Sequence, residues 1–219
     1  MKLQFFYFFF LILFCGKAQV FTFQSEQNGK TITHRILMDK NYLVETQYLS
    51  KPAEFILTRG GFYKKQGKEL SVDFEFNSNF EKDGLKQLEI LESSDWQKLS
   101  QKPKDLNGKW LMAGRMTDEG ERRRDTTRPR KTMKILLDGY FQWIAYNTET
   151  FQFFGSGGGY YTTEKGKYTE HIEYFSRDNS RVGAVLPFEY SVKGSDWHHQ
   201  GFSSKGAPMY EIWSARLQE

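Results

Sequence analysis

Cysteine is almost missing from this chain: Cys15 is the only one among 219 residues. A lone thiol makes no internal disulfide, so a small scaffold stapled by disulfides is excluded and stability must come from a packed core. An excess of one charge is missing too. The 31 basic side chains face 27 acidic ones, and setting Lys2 and Lys17 aside leaves 29 against 27. So even a balance gives no electrostatic case for nucleic acid. Long apolar runs are absent after the first 15 residues, which argues against a multispanning membrane protein. Several signatures of chemistry are absent as well. There is no Gly-x-Ser-x-Gly elbow, no His-Glu-x-x-His, and the run Gly155-Ser-Gly-Gly-Gly159 lacks the Lys-Ser/Thr and following helix of a phosphate loop. Enzyme classes with recognisable motifs are therefore disfavoured, and no metal or cofactor is expected.

The one apolar run, Leu3 to Cys15, is broken only by Gln4 and closed by Gly16-Lys17-Ala18. Its 13 residues fall short of the about 20 that span a bilayer. With Met1-Lys2 ahead of it and a small-x-small site behind, it reads as a secretory signal peptide over 1–18. The bulky Phe14 stands where a lipobox places a small residue, which disfavours a lipid anchor on Cys15. The expected destination is periplasmic or extracellular, with no transmembrane span.

What is abundant is aromatic: 20 Phe, 12 Tyr and 5 Trp. They recur in short alternating segments between Gly, Asn and Asp turns, the pattern of half-buried strands. The segments are also written twice. His34-Arg-Ile-Leu-Met-Asp39 matches Met133-Lys-Ile-Leu-Leu-Asp138, Gly60-Gly61-Phe62-Tyr63 matches Gly158-Gly159-Tyr160-Tyr161, and Ser94-Asp95-Trp96 matches Ser195-Asp196-Trp197. The offsets stay between 98 and 101, which indicates tandem duplication. The second copy predicts strands over 109–117, 131–138, 140–147, 150–155 continuing through 160–163, 167–176, 184–193, 196–202 and 209–216. The first copy offers six or seven. The fold class is therefore all-β, with duplicated antiparallel units over 19–104 and 105–219 expected as two small up-and-down barrels packed together. A sandwich fits the spacing nearly as well. The segment Gly108-Lys109-Trp110-Leu111 could close the first unit or open the second.

Leu106-Asn107-Gly108-Lys109-Trp110 carries the Gly-x-Trp pattern found on the first strand of lipocalin-like proteins. The stretches Lys131 to Lys134, Phe141 to Asn147, Phe175 to Arg181, Asp196 to His199 and Ser203 to Gly206 are more specific. Over roughly the last 115 residues the chain resembles a group of uncharacterised bacterial secreted or membrane-associated proteins described as lipocalin-like. The resemblance implies a calycin-type barrel and an envelope location, and it supplies no catalytic residues.

Alternation in the second unit gives the candidate site: Trp143, Tyr146, His171, Glu173 and Trp197 as pocket wall, with Arg177 and His198 as polar handles for a small apolar or amphipathic ligand. Two other readings stand beside this one. His171 and Glu173 share a strand face, as do His198 and Asp196, so neighbouring strands could join them as acid and base in an envelope enzyme. Alternatively, both barrels are filled by side chains and serve a structural or interaction role. Arg122-Arg123-Arg124 and Arg128-Pro129-Arg130 form the densest basic cluster, in and directly after an insertion over 116–127 read as a solvated loop near the barrel mouth. An acidic envelope glycan or lipid is the partner this cluster suits. Export itself is testable. The secreted protein should begin at Gln19 and contain no thiol, as read by intact mass and thiol titration, and a diacylglycerol on Cys15 would overturn this.

Overall fold

A computed structural model of the protein describes residues 19–99, 103–203 and 206–216, so the segment expected as a signal peptide, 1–18, lies outside the described residues. The alternating segments become strands: 68% of the structure is strand and 4% helix. The first unit comprises β1 (Gln19–Gln27), β2 (Lys30–Met38), β3 (Tyr42–Ser50), β4 (Ala53–Gln66), β5 (Glu69–Asn77), the single helical turn α1 (Phe80–Asp83), β6 (Gln87–Leu91) and β7 (Gln97–Lys98). The second comprises β8 (Gly108–Thr117), β9 (Gly120–Arg123), β10 (Arg130–Leu137), β11 (Tyr140–Asn147), β12 (Phe153–Glu164), β13 (Lys167–Phe175), β14 (Val185–Lys193), β15 (Asp196–Phe202) and β16 (Pro208–Ala215). Two-residue turns set many of the hairpins. At Asp138-Gly139 both residues take positive φ, 48° and 85°, the left-handed pair whose twist matches that of the flanking strands.

Two antiparallel units are present, but only the second closes. Strands β10 to β16 follow one another in order and β8 pairs with both β16 and β10, giving an eight-stranded closed barrel. The first unit is a curled half-barrel in the order β6-β5-β4-β3-β2-β1-β7. It stays open because β7 is only two residues long and Gly108–Thr117 belongs to the barrel. The insertion over 116–127 is more ordered than a solvated loop, since its Gly120–Arg123 segment folds back on β8 as a hairpin.

The duplication is visible in the geometry. Register breaks at Gln47/Tyr48 and Gly60/Gly61 recur at Ala145/Tyr146 and Gly158/Gly159, each 98 residues later. The glycine pairs are demanded by close approach. A Cβ on Gly61 would fall 1.9 Å from the Asp73 carbonyl oxygen, and one on Gly159 2.0 Å from that of His171.

The units are joined by a shared apolar seam. Val20, Leu37, Tyr42, Val44 and Phe76 of the half-barrel pack against Met133, Ile135, Leu137, Ile144 and Tyr146 on the outer face of β10 and β11. Contacts across it repeat with exchanged roles. Phe76 meets Tyr146 at 5.0 Å between ring centroids, and Tyr48 meets Tyr174, the residue 98 beyond Phe76, also at 5.0 Å. Phe55 stacks on Phe153, its own counterpart, with rings 4° from parallel. This is the pattern of a two-fold interface.

Charged groups in the seam are paired. Arg216 holds both oxygens of Glu75 at 2.8 Å, and Tyr42 and Tyr146 donate hydroxyl protons to the same carboxylate. Burial works to raise the Glu75 carboxyl, but Arg216 outweighs it and holds the group below its usual range. Arg35 of the half-barrel reciprocates, 3.1 Å from Glu173 of the barrel. Replacing Glu75 by Leu strands the Arg216 guanidinium and should cost about 3–5 kcal/mol, whereas Glu75→Leu combined with Arg216→Met should recover most of that. A double-mutant cycle by urea denaturation reads the coupling; additive losses would contradict a pair that acts as one unit.

Candidate functional site

The barrel lumen is built by residues that alternate inward. On β10, Lys134 and Leu136 point in while Met133, Ile135 and Leu137 face the half-barrel. On β13, Tyr168, Glu170 and Ile172 point in, and on β15 Trp197 and His199 do so. Leu106, Trp110, Phe141, Tyr161 and Trp213 complete a packed floor. Above that floor lies a cavity of about 390 Å³, lined by Lys134, Trp143, Glu170, Ile172, Phe175, Phe188, His199, Glu211 and Trp213 and rimmed by Arg115, Arg124 and Arg130. Trp143 and Phe175 form an edge-to-face pair at 5.6 Å on one wall. Gly157 makes that wall fit, because a Cβ there would lie 2.8 Å from the indole nitrogen and 2.7 Å from Phe175. An open groove past Phe202 and Met209 continues from the mouth towards Met116.

One ion pair and one uncharged imidazole lie inside. Lys134 Nζ sits 2.7 Å from Glu170 Oε1, both residues at most 5% exposed, and Tyr168 donates its hydroxyl to the same oxygen. The ammonium also lies 5.1 Å from the ring centroids of Trp197 and Trp213, so aromatic faces replace the water it has lost. His199 is 1% exposed with Nδ1 3.6 Å from Glu211, and neither ring nitrogen finds a hydrogen-bond partner among the described residues. Burial, reinforced by the charge of Lys134, pushes the imidazole down to about 4, so it is neutral at pH 7. Burial would raise the Glu211 carboxyl, yet His199 and Lys134 beside it keep it below its ordinary value.

Of the residues expected at the site, Trp143 and Trp197 lie in the lumen, Trp143 on the cavity wall and Trp197 in the floor. Arg177 stands exposed at the rim, donating through Nε and Nη2 to the Phe154 carbonyl, with its guanidinium 5.8 Å from the Trp143 ring. The others are elsewhere. Tyr146 belongs to the seam, with its hydroxyl on Glu75. His171 stacks on Tyr160 at 4.2 Å outside the barrel, Glu173 faces Arg35 across the seam, and His198 meets the Tyr210 hydroxyl at 3.1 Å. Strand β14 separates β13 from β15, so the structure does not gather His171, Glu173 and His198; Asp196 instead holds Arg123 and Ser214. Lys134, Glu170, His199 and Glu211 are not among the residues the sequence singled out for the site, although Glu170 and His199 each stand two residues from an inward aromatic, Tyr168 and Trp197. Among the described residues no three His, Cys, Asp or Glu groups converge as a metal centre, and no helix is long and apolar enough to cross a membrane.

Residues 105–218, more than half of the chain, match a family described as a domain of unknown function, DUF4488. The chain belongs to the DUF4488 family. The match spans the whole barrel, β8 to β16, and leaves the half-barrel out. A comparison with curated proteins finds no match. The DUF4488 barrel thus carries its buried charges without an assigned chemistry.

Its buried histidine has a pH signature. A folded imidazole titrating near 4, against the usual 6.5, lets the unfolded chain bind more protons between those values. Stability is therefore complete above pH 6.5 and falls as the pH drops towards 4, by about 3 kcal/mol. Melting curves of the parent and of His199→Gln over this window should show the variant with a flatter profile; equal slopes would rule His199 out as the source.

Proposed function

We propose that the DUF4488 barrel is a lipocalin-like binding module for a small apolar or amphipathic ligand, in a bacterial chain exported to the envelope. The observation that carries this reading is the lumen cavity, about 390 Å³ within a barrel of otherwise filled interior. That volume falls in the range of small-molecule sites, and aromatic walls around a few fixed polar groups are their usual make-up.

The half-barrel provides an internal comparison. Its residues 98 positions before Trp143 and Gly157 are Glu45 and Arg59, which form a 2.8 Å ion pair extended by His34 at 3.0 Å. Burial acts to raise the Glu45 carboxyl, but the His34 hydrogen bond and the Arg59 charge hold it at about 2. Where the half-barrel places an ion cluster, the barrel keeps an indole, a glycine and open space. A binding function in the second unit alone accounts for that difference.

Trp143 is the one wall tryptophan that is only partly buried, whereas Trp110, Trp197 and Trp213 are core residues. Trp143→Ala should therefore keep its fold and bind the uncharged fluorophore N-phenyl-1-naphthylamine more weakly by about 1–3 kcal/mol. Trp197→Ala should instead lose about 3–5 kcal/mol of stability. Unchanged affinity in a folded Trp143→Ala protein would remove the indole from the site.

A further inference from the structure

Resting on the reading of the lumen as a ligand site, we infer that its ligand is an amphiphilic anion, whose acidic group sits between Arg124 and Arg130 while its apolar part lies against Trp143 and Phe175. The charges around the cavity do not cancel. Four cationic side chains border the cavity, Arg115, Arg124, Arg130 and Lys134, and two carboxylates, Glu170 and Glu211. Lys134 is matched by Glu170 at 2.7 Å and Arg115 by Glu211 at 3.5 Å. His199 between them is neutral at pH 7.

Arg124 and Arg130 are left without a carboxylate among the described residues. Arg124 donates to the Arg130 carbonyl at 3.1 Å, and Arg130 donates to the Lys131 carbonyl while its guanidinium lies 3.6 Å from the Phe154 ring centroid. The nearby carboxylate, Asp125, is occupied by Thr127 and faces Arg128. Partial desolvation at the mouth and neighbouring cations lower the pKa of both guanidiniums, Arg115 and Arg128 acting on Arg124, and Arg124 and Arg177 on Arg130. Like charges held together at the mouth of an apolar cavity favour an anion there and disfavour a cation. The cavity suits a single short chain or ring system rather than two acyl chains.

Titration calorimetry of the intact protein with decanoate, 1-decanol and decyltrimethylammonium, all below micellar concentrations, separates charge from tail. Decanoate should bind at least tenfold tighter than decanol, and decyltrimethylammonium weakest, with the preference shrinking as salt is raised. The exposed double variant Arg124→Gln/Arg130→Gln should bring decanoate to the level of decanol and leave decanol unchanged. Equal binding of decanoate and decanol by the parent, or a preference that survives the double variant, would overturn the inference while leaving the lumen site standing. If none of these amphiphiles nor N-phenyl-1-naphthylamine binds, the lumen reading fails and the inference with it.

Discussion

Strand β10 has no solvent face over most of its length, and the rest of the molecule is arranged around that fact. Its outward residues, Met133, Ile135 and Leu137, are at most 2% exposed against the half-barrel, and its inward ones, Lys134 and Leu136, at most 5% exposed inside the barrel. A barrel standing alone would present three large apolar side chains to water beside Ile144 and Tyr146, a patch that calls for a partner. The half-barrel is that partner. It is also what sets the position of the site, because the strand it covers begins at Arg130 on the rim and carries Lys134 into the lumen. Once Lys134 is buried, a carboxylate and a polarisable surround must follow, since an unpaired ammonium in an apolar interior is too costly. Glu170 and the surrounding aromatic rings meet that demand.

Much of the architecture was legible from period-two alternation and turn residues. Every strand of the barrel except β9 falls within three residues of its expected bounds, and the repeat gave two units before any pairing was known. Closure was not legible, because it depends on which unit takes Gly108–Thr117, and that is settled by pairing with β16 and β10 rather than by local pattern. The repeat also misled at the level of single residues. Aligning His34–Asp39 with Met133–Asp138 sets Ile36 against Ile135, yet Ile36 lies inside the half-barrel and Ile135 in the seam. Strand pairing gives an offset of 98 instead of 99: Met38 opposes Leu43 as Leu136 opposes Phe141. A slip of one residue exchanges the two faces of a strand.

The same parity explains how much of the site could be read. Trp143 and Trp197 were recoverable as large aromatics in alternating strands. His171 and His198 were selected for their chemistry, but each lies one residue out of phase with the inward set. Glu173 falls at the register break beside Gly158 and Gly159, so counting in twos along β13 fails there. Nothing in the local pattern marks Lys134 as inward, because a charged residue among apolar ones ordinarily faces solvent. In a strand buried on both faces that expectation has no basis. The rim arginines were seen as a basic cluster, but the hairpin that brings Arg124 back over the barrel mouth was not, since β9 is four residues of mostly charged sequence with no apolar alternation.

The seam has a symmetry that a chance docking of two domains would lack. In a two-fold contact, if residue i meets j of its partner, then j meets i, and a residue on the axis meets its own copy. Phe76 with Tyr146 and Tyr48 with Tyr174 satisfy the first condition at an offset of 98, and Phe55 with Phe153 satisfies the second. The charged pairs follow the rule in function while breaking it in sequence. Glu75 and Glu173 are counterparts, and each accepts a guanidinium from the opposite unit, yet Arg35 corresponds to Met133. The missing cation is supplied by Arg216, whose Nη1 lies 3.5 Å from the Met133 sulfur, close to where a long basic side chain at that position would reach. Two copies of one unit, paired through the outer faces of their second and third strands, give this arrangement directly. After fusion, a seam of this kind needs only one of the units to remain a closed barrel. The other is free to lose strands and fill its interior with Glu45 and Arg59, so long as its outer face still covers β10.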